Sequence, residues 1–175
     1  SQMEKWQVRD FAQHHVGTIT PSFWGTQFQV HDYRAGLQDK DAESASLRLM
    51  LTFEVNIQGS VPRKITCNFQ HATSAEPEEE SSIPPRRTTT TASYTNVEPR
   101  WNAKQNSYVL PFYGRVKASS AKNFQLVEPQ RPDEIMLLFG KIKRELFALD
   151  WRPPLSALDA FGIALASIAR KRAVN

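Results

Sequence analysis

Cysteine is almost absent from this chain, and what a single thiol cannot do narrows the field. Cys67 stands alone among 175 residues, which excludes an internal disulfide framework and any multi-cysteine metal site. A reducing compartment, with the cytoplasm first, is therefore expected. Glycine is scarce as well, with 7 in all, and no P-loop, nucleophile elbow or glycine-rich nucleotide fingerprint occurs. His14, His15, His31 and His71 are not spaced with acids or with Cys67 as metal ligands. Adjacent strand residues such as His14 and His15 point to opposite faces. No cofactor, no metal and no enzymatic activity are expected.

Long apolar runs are missing too. The most apolar stretch, Leu155 to Ala169, falls short of the ~20 residues a bilayer demands and holds Asp159 within it. The first residues, SQMEKWQVRD, lack the apolar core of a secretory signal. Charge of one sign is not in large surplus: 22 basic residues face 18 acidic ones, a net +4. That balance permits an anionic partner without arguing for one. The scattered Lys and Arg accompany no element suited to a nucleic-acid groove, so nucleic acid is not expected as a partner.

What is present describes one globular domain. Hydrophobic residues make up 40% and charged ones 23%, with 10 Phe and 4 Trp, enough to build a single core. The chain's organising stretch is Pro154 to Arg172. Leu155, Leu158, Phe161, Leu165 and Ile168 fall on one helical face, and Ala157, Ala160, Ile163, Ala164 and Ala169 cover the others. Such a helix has no face meant for water and must be enclosed. Pro153 and Pro154 suit its first turn, and Ser156 followed by Asp159 resembles a capping box. Arg170, Lys171 and Arg172 sit where the helix dipole favours cations.

Ahead of it the pattern is strand after strand. Val16–Thr20, Gly25–His31, Leu47–Ile57 and Pro62–Phe69 carry β character, the second with a clear alternation. Ser107–Val116, with an irregularity at Pro111, then Phe124–Val127, Ile135–Gly140 and Glu145–Trp151 continue the series. Between them, from about 71 to 99, lies an acid run, Pro84-Pro85-Arg86-Arg87 and four threonines, Thr88 to Thr91. So few apolar side chains cannot offset the entropy of ordering, and a mobile insertion is expected there, either a solvated loop or a partner-docking motif. Residues 4–175 thus read as one mostly-β domain: a closed antiparallel β-barrel enclosing one hydrophobic C-terminal helix.

Several blocks also carry a family resemblance. They are Trp101-Asn102, Ser107-Tyr108-Val109-Leu110, Phe112-x-Gly114-Arg115-Val116, Ser120-x-Lys122-Asn123-Phe124-Gln125, Phe139-Gly140, Phe147-x-Leu149-Asp150 and Pro154-Leu155-x-Ala157-Leu158-x-Ala160-Phe161. With Gly25-Thr26-x-Phe28-x-Val30-x-Asp32 and Pro62-Arg63-Lys64, they resemble the C-terminal domain of the tubby and tubby-like proteins. The resemblance implies a barrel threaded by the C-terminal helix and a non-catalytic, phosphoinositide-binding adaptor role, in some members tied to receptor traffic towards cilia. The low-complexity middle and the ending Ala169-Arg170-Lys171-Arg172-Ala173-Val174-Asn175 look most like a divergent branch whose full chains also carry WD repeats and a SOCS box. That likeness implies a substrate-recruiting subunit of a cullin and elongin ubiquitin ligase, with a protein as partner.

One departure matters most. Lipid-binding members carry Gly-Lys-x-Arg where this chain has Gly17-Thr18-Ile19-Thr20. Thr18 and Thr20 therefore occupy the implied phosphoinositide positions without charge. Charge-assisted bonds to phosphate contribute ~1.5–3 kcal/mol each, so losing two weakens binding by powers of ten. Phosphoinositide binding is expected to be weak or absent. A third basic position falls within Glu43-Ser44-Ala45-Ser46, unless a gap slides Arg48 into it. Arg63, Lys64 and Lys122 remain either as residual anion contacts or as ordinary surface charges.

Overall fold

In a computed structural model of the chain, the structure describes residues 5–10, 12–33, 46–54, 64–73, 88–104 and 106–169. The elements in order are β1 (Trp6–Arg9), β2 (His15–Pro21), β3 (Gln27–Asp32), β4 (Ser46–Phe53), β5 (Ile65–Thr73), β6 (Thr88–Asn96), β7 (Arg100–Asn102), β8 (Ser107–Val109), β9 (Phe124–Glu128), β10 (Arg131–Lys143), β11 (Leu146–Trp151) and α1 (Ala157–Ile168). Nine strands form one antiparallel sheet in the order β1-β2-β3-β4-β5-β6-β9-β10-β11, while β7 and β8 make a separate hairpin.

Alternation sets the inner face. Phe28 and Val30 of β3, Leu49, Leu51 and Phe53 of β4, and Ile65, Cys67 and Phe69 of β5 are buried and point one way. In β9 and β10 the pattern changes to unbroken burial, Phe124–Val127 and Met136–Gly140. Such runs need cover on both faces. The chain between β8 and β9 supplies some of it: Gln125 donates to the Pro111 carbonyl at 2.6 Å, and Asn123 to that of Ala118 at 2.9 Å.

The helix lies against β2, β3 and β4 and also against β11, strands from the two ends of the sheet order, so the sheet curls around it. Two glycines permit the approach. A Cβ on Gly17 would meet Leu158 at 2.7 Å, and one on Gly162 would meet Val30 at the same distance. The capping box expected at Ser156 and Asp159 is present in both directions. Pro153 and Pro154 precede the helix in a turn and do not form its first turn.

Four expectations need correction. The helix does have a face that is not enclosed: Phe161 is 48% exposed, and Ala157 and Ile168 on the same stripe are exposed too. The antiparallel sheet and the C-terminal helix expected of a barrel are both present, and among the described residues no ladder joins β1 to β11. The threonine run is not part of a loop, because Thr88–Asn96 is β6, zipped to β5 from Thr66↔Thr95 to Thr73↔Thr88. β-Branched threonine suits an extended ladder, and one buried ring, Tyr94, anchors it. Residues 74–87 lie outside the described residues. The strand expected over Ser107–Val116 stops at Val109; Pro111 cannot donate to a ladder, and Tyr113 and Gly114 take positive φ (49° and 77°). Finally, β10 begins at Arg131, inside the expected turn.

Candidate functional site

On β2, Gly17 and Ile19 face the helix, which leaves Thr18 and Thr20 on the opposite face. Thr18 is 1% exposed. It sits between Gln7 of β1 and His31 of β3 in the ladder, and its Oγ1 is 3.1 Å from His15 Nε2. The His15 ring packs on Tyr33, centroids 4.4 Å apart. Thr20 is half-buried on the same face, opposite Gln29. Burial, aided by Lys5, lowers the His31 pKa and favours its neutral form. Two hydroxyls and two imidazoles can share hydrogen bonds with an anionic oxygen. These four side chains carry no permanent charge themselves; Lys5, just before the Trp6↔Ile19 pair, is a permanent cation whose charge reaches His31.

Arg48 is committed elsewhere. The β3–β4 register passes from Val30↔Leu49 to His31↔Leu47, so Arg48 is the extra residue of a β-bulge. A bulge re-aims a side chain, and here the guanidinium turns onto the Phe69 ring, 4.9 Å from its centroid, and reaches Asp159 Oδ2 at 3.2 Å. Asp159 is fully buried. Its Oδ2 also accepts from the Ser156 backbone N–H (2.8 Å) and Oγ (2.7 Å). Its Oδ1 and Arg48 Nε are buried without a partner among the described residues. Burial, with Asp159 adding to it, pushes the Cys67 thiol well above its usual range, which makes this cysteine an inert core residue.

The other expected cations are dispersed. Lys64 pairs with Glu54 at 3.2 Å, and Lys122 Nζ reaches the Ile168 carbonyl at 3.5 Å. Arg63 lies outside the described residues, as do Arg170, Lys171 and Arg172. The structure thus places Thr18 and Thr20 together on one face of β2, with Arg48 turned to Asp159, Lys64 to Glu54 and Lys122 to the end of α1. His14 pairs with Asp10 (Nδ1 to Oδ2, 3.1 Å), separate from His15. Sequence reasoning missed the turn between β2 and β3, where Phe23 and Trp24 are 58% and 59% exposed. Two large aromatics flanked by Pro21, Ser22 and Gly25 were its available signal. Among the described residues no group of three or more His, Cys, Asp or Glu could hold a metal ion, and no helix is long and apolar enough to cross a membrane.

The fold defines a class: a mostly-β domain whose antiparallel sheet curls around one C-terminal helix. A family model described as "Tub family" matches residues 2–170, and the chain belongs to that family. It is similar to Protein king tubby of Drosophila virilis, 34% identical over 169 residues, which covers 89% of this chain and 36% of that protein. Tubby protein homolog 1 of Caenorhabditis elegans is 35% identical over 169 residues, covering 85% of this chain and 39% of that one. Its Caenorhabditis briggsae counterpart is 48% identical over 79 residues, 45% of this chain and 19% of that protein. The chain spans well under half the length of these relatives.

Proposed function

We propose that this chain is a non-catalytic binding domain of the tubby type, working in the cytoplasm, whose specific hold on phosphoinositides is weakened and whose main task is to recruit a protein. In a longer protein bearing WD repeats and a SOCS box, it would serve as the substrate-recruiting part of a cullin and elongin ubiquitin ligase. We also infer one domain, with the sheet closing over α1 as a barrel where further polypeptide covers the seam. The supporting observation is the pairing of neutral Thr18 and Thr20 on β2 with the diversion of Arg48 to Asp159.

Vesicle flotation tests the lipid half. Phosphatidylcholine vesicles containing a bisphosphorylated phosphoinositide should capture the chain no better than vesicles of equal charge made with phosphatidylserine. Thr18→Lys with Thr20→Arg should restore a headgroup preference. Because Thr18 lies under His15 and Tyr33, most of the gain should come from Thr20→Arg. Headgroup-specific, salt-sensitive capture of the unaltered chain would reverse the reading in favour of a phosphoinositide-binding membrane adaptor of receptor or ciliary traffic. His15 and His31 beside Thr18 are the observation that favours this second reading.

A further inference from the structure

Going beyond that reading, we propose that Ser119 is a phosphorylation site for a protein kinase that reads basic flanks, and that its phosphate acts by drawing Lys122 off the C-terminal end of α1. Of the serines and threonines whose side chains the structure describes, only Ser119 and Thr91 are exposed. Thr91 is paired with Gln70 in the middle of a ladder, where a kinase cleft cannot engage its backbone. Ser119 lies in no ladder, and among the described residues its hydroxyl makes no hydrogen bond. Its neighbour Ser120 is half-buried and its Oγ accepts the Lys122 backbone N–H at 3.2 Å.

The loop that presents Ser119 is staked at both feet. The backbone N–H groups of Lys117 and Ala118 both donate to the Lys141 carbonyl (3.1 Å). Asn123 ties the far foot: its Nδ2 donates to the Ala118 carbonyl (2.9 Å), its Oδ1 accepts the Lys141 N–H (2.8 Å), and its own N–H donates to the Ser120 carbonyl (3.0 Å). Ser119 therefore stands out from a fixed base, with Lys117 ahead of it and Lys122 behind, and no residue from Arg115 to Val127 is acidic. Kinases choose substrates by such charge patterns. Among the described residues neither lysine is in an ion pair, whereas Arg115 is committed to Asp150 through two bonds of 2.6 Å. In the transfer, Ser119 Oγ bonds to the γ-phosphorus of a kinase-bound nucleoside triphosphate, the bond from that phosphorus to the bridging oxygen breaks, and the nucleoside diphosphate leaves; the hydroxyl proton passes to the kinase's carboxylate base.

What the phosphate does follows from Lys122. Its Nζ reaches the carbonyl of Ile168, the last residue of α1, at 3.5 Å. The last turn of α1 holds no basic residue of its own, so Lys122 supplies from another element the cation that the negative end of a helix dipole favours. A phosphoserine carries a charge of about −1.5 to −2 and three strong acceptor oxygens. Placed at the turn that Lys122 closes, it outcompetes an uncharged carbonyl for the ammonium group. A modification of the surface loop is thereby read at the end of the helix the sheet surrounds. Nothing in this coupling depends on Thr18, Thr20 or any lipid, so it stands or falls apart from the function proposed above.

The test uses the 175-residue chain, the catalytic domain of protein kinase C and magnesium ATP, with the phosphate located by mass spectrometry. Ser119 should take up phosphate in the folded chain, and Ser119→Ala should remove that site while leaving the circular dichroism and melting midpoint unchanged. Lys117→Gln should slow the transfer by roughly fivefold, the effect of one charge on recognition. Hydrogen exchange then reads the coupling: in the phosphorylated chain the amides of the last turn of α1 should exchange about two- to fivefold faster, with those of β4 unmoved. Lys122→Gln without phosphate should give the same speeding, and phosphate on Ser119 of that variant should add nothing further. Phosphate taken up only once urea has unfolded the chain, or none at Ser119 while a control substrate is modified, would overturn the site. Phosphorylated Ser119 with last-turn exchange unchanged, or further speeding by phosphate in the Lys122→Gln chain, would overturn its coupling to α1.

Discussion

Asp159 is the residue whose removal the fold should feel most. It closes the helix cap through Ser156 and holds the bulged Arg48 beneath α1. Asp159→Ala strands a guanidinium whose side chain is mostly buried, and breaking a buried pair from one side costs ~3–5 kcal/mol. Ser156→Ala should cost about 1 kcal/mol, the usual value of a cap. Arg48→Met combined with Asp159→Asn should lose less than the sum of the single changes, because neither then leaves a buried charge alone; additive losses in urea denaturation would contradict the coupling. His31 supplies a pH dependence. Burial holds its folded pKa below the ordinary imidazole value of 6.5, so below that value the unfolded chain binds the proton more readily, and stability falls as pH drops through the window beneath 6.5. His31→Gln should flatten the melting midpoint between about pH 7 and pH 5. The cap was legible from Ser156 and Asp159 because its partners lie three residues apart. Arg48 and Asp159 are 111 apart, and the bulge that joins them leaves no trace in a local pattern.

The helix shows how an element can be read correctly in kind and wrongly in one face. Its apolar and small residues do pack inward: Leu158, Ala160, Ile163, Ala164 and Ala166 are buried. Phe161 lies on the stripe the described sheet leaves open. An all-round apolar composition cannot reveal a seam in the wall that surrounds it. The expected contrast is sharp. Ile163→Asp buries an unpaired carboxylate and should forfeit most of a domain's ~5–15 kcal/mol, whereas Phe161→Asp should cost about 1 kcal/mol or less and leave a folded chain. Equal loss of soluble, cooperatively melting protein in both would mean that Phe161 is covered. Strands were legible where one face alternates, as in β3, and where buried runs end in turns, as in β9 to β11. β6 was not, since its ladder partner β5, and not its own apolar content, justifies it.

At the scale of the whole molecule, β1 and β11, the two ends of the described strand order, decide how fully the sheet encloses α1. The sequence pointed to strands wrapped around one helix, and the curled sheet agrees. Closure was not legible, because pairing between two edges depends on how many strands complete the circuit and on their stagger, which no local period encodes. Edges make closure measurable. In β1 and β11, amides that point across the seam have no ladder partner among the described residues, while those of β4 are bonded to neighbours on both sides. Native-state hydrogen exchange on the 175-residue chain should therefore show alternate amides of β1 and β11 exchanging orders of magnitude faster than those of β4. Adding polypeptide that pairs across the seam should slow them and, with them, shield Phe161. If both edges are already as protected as β4 in a chain that light scattering shows to be monomeric, the circuit is complete without further strands, and α1 is enclosed as the sequence reading had it.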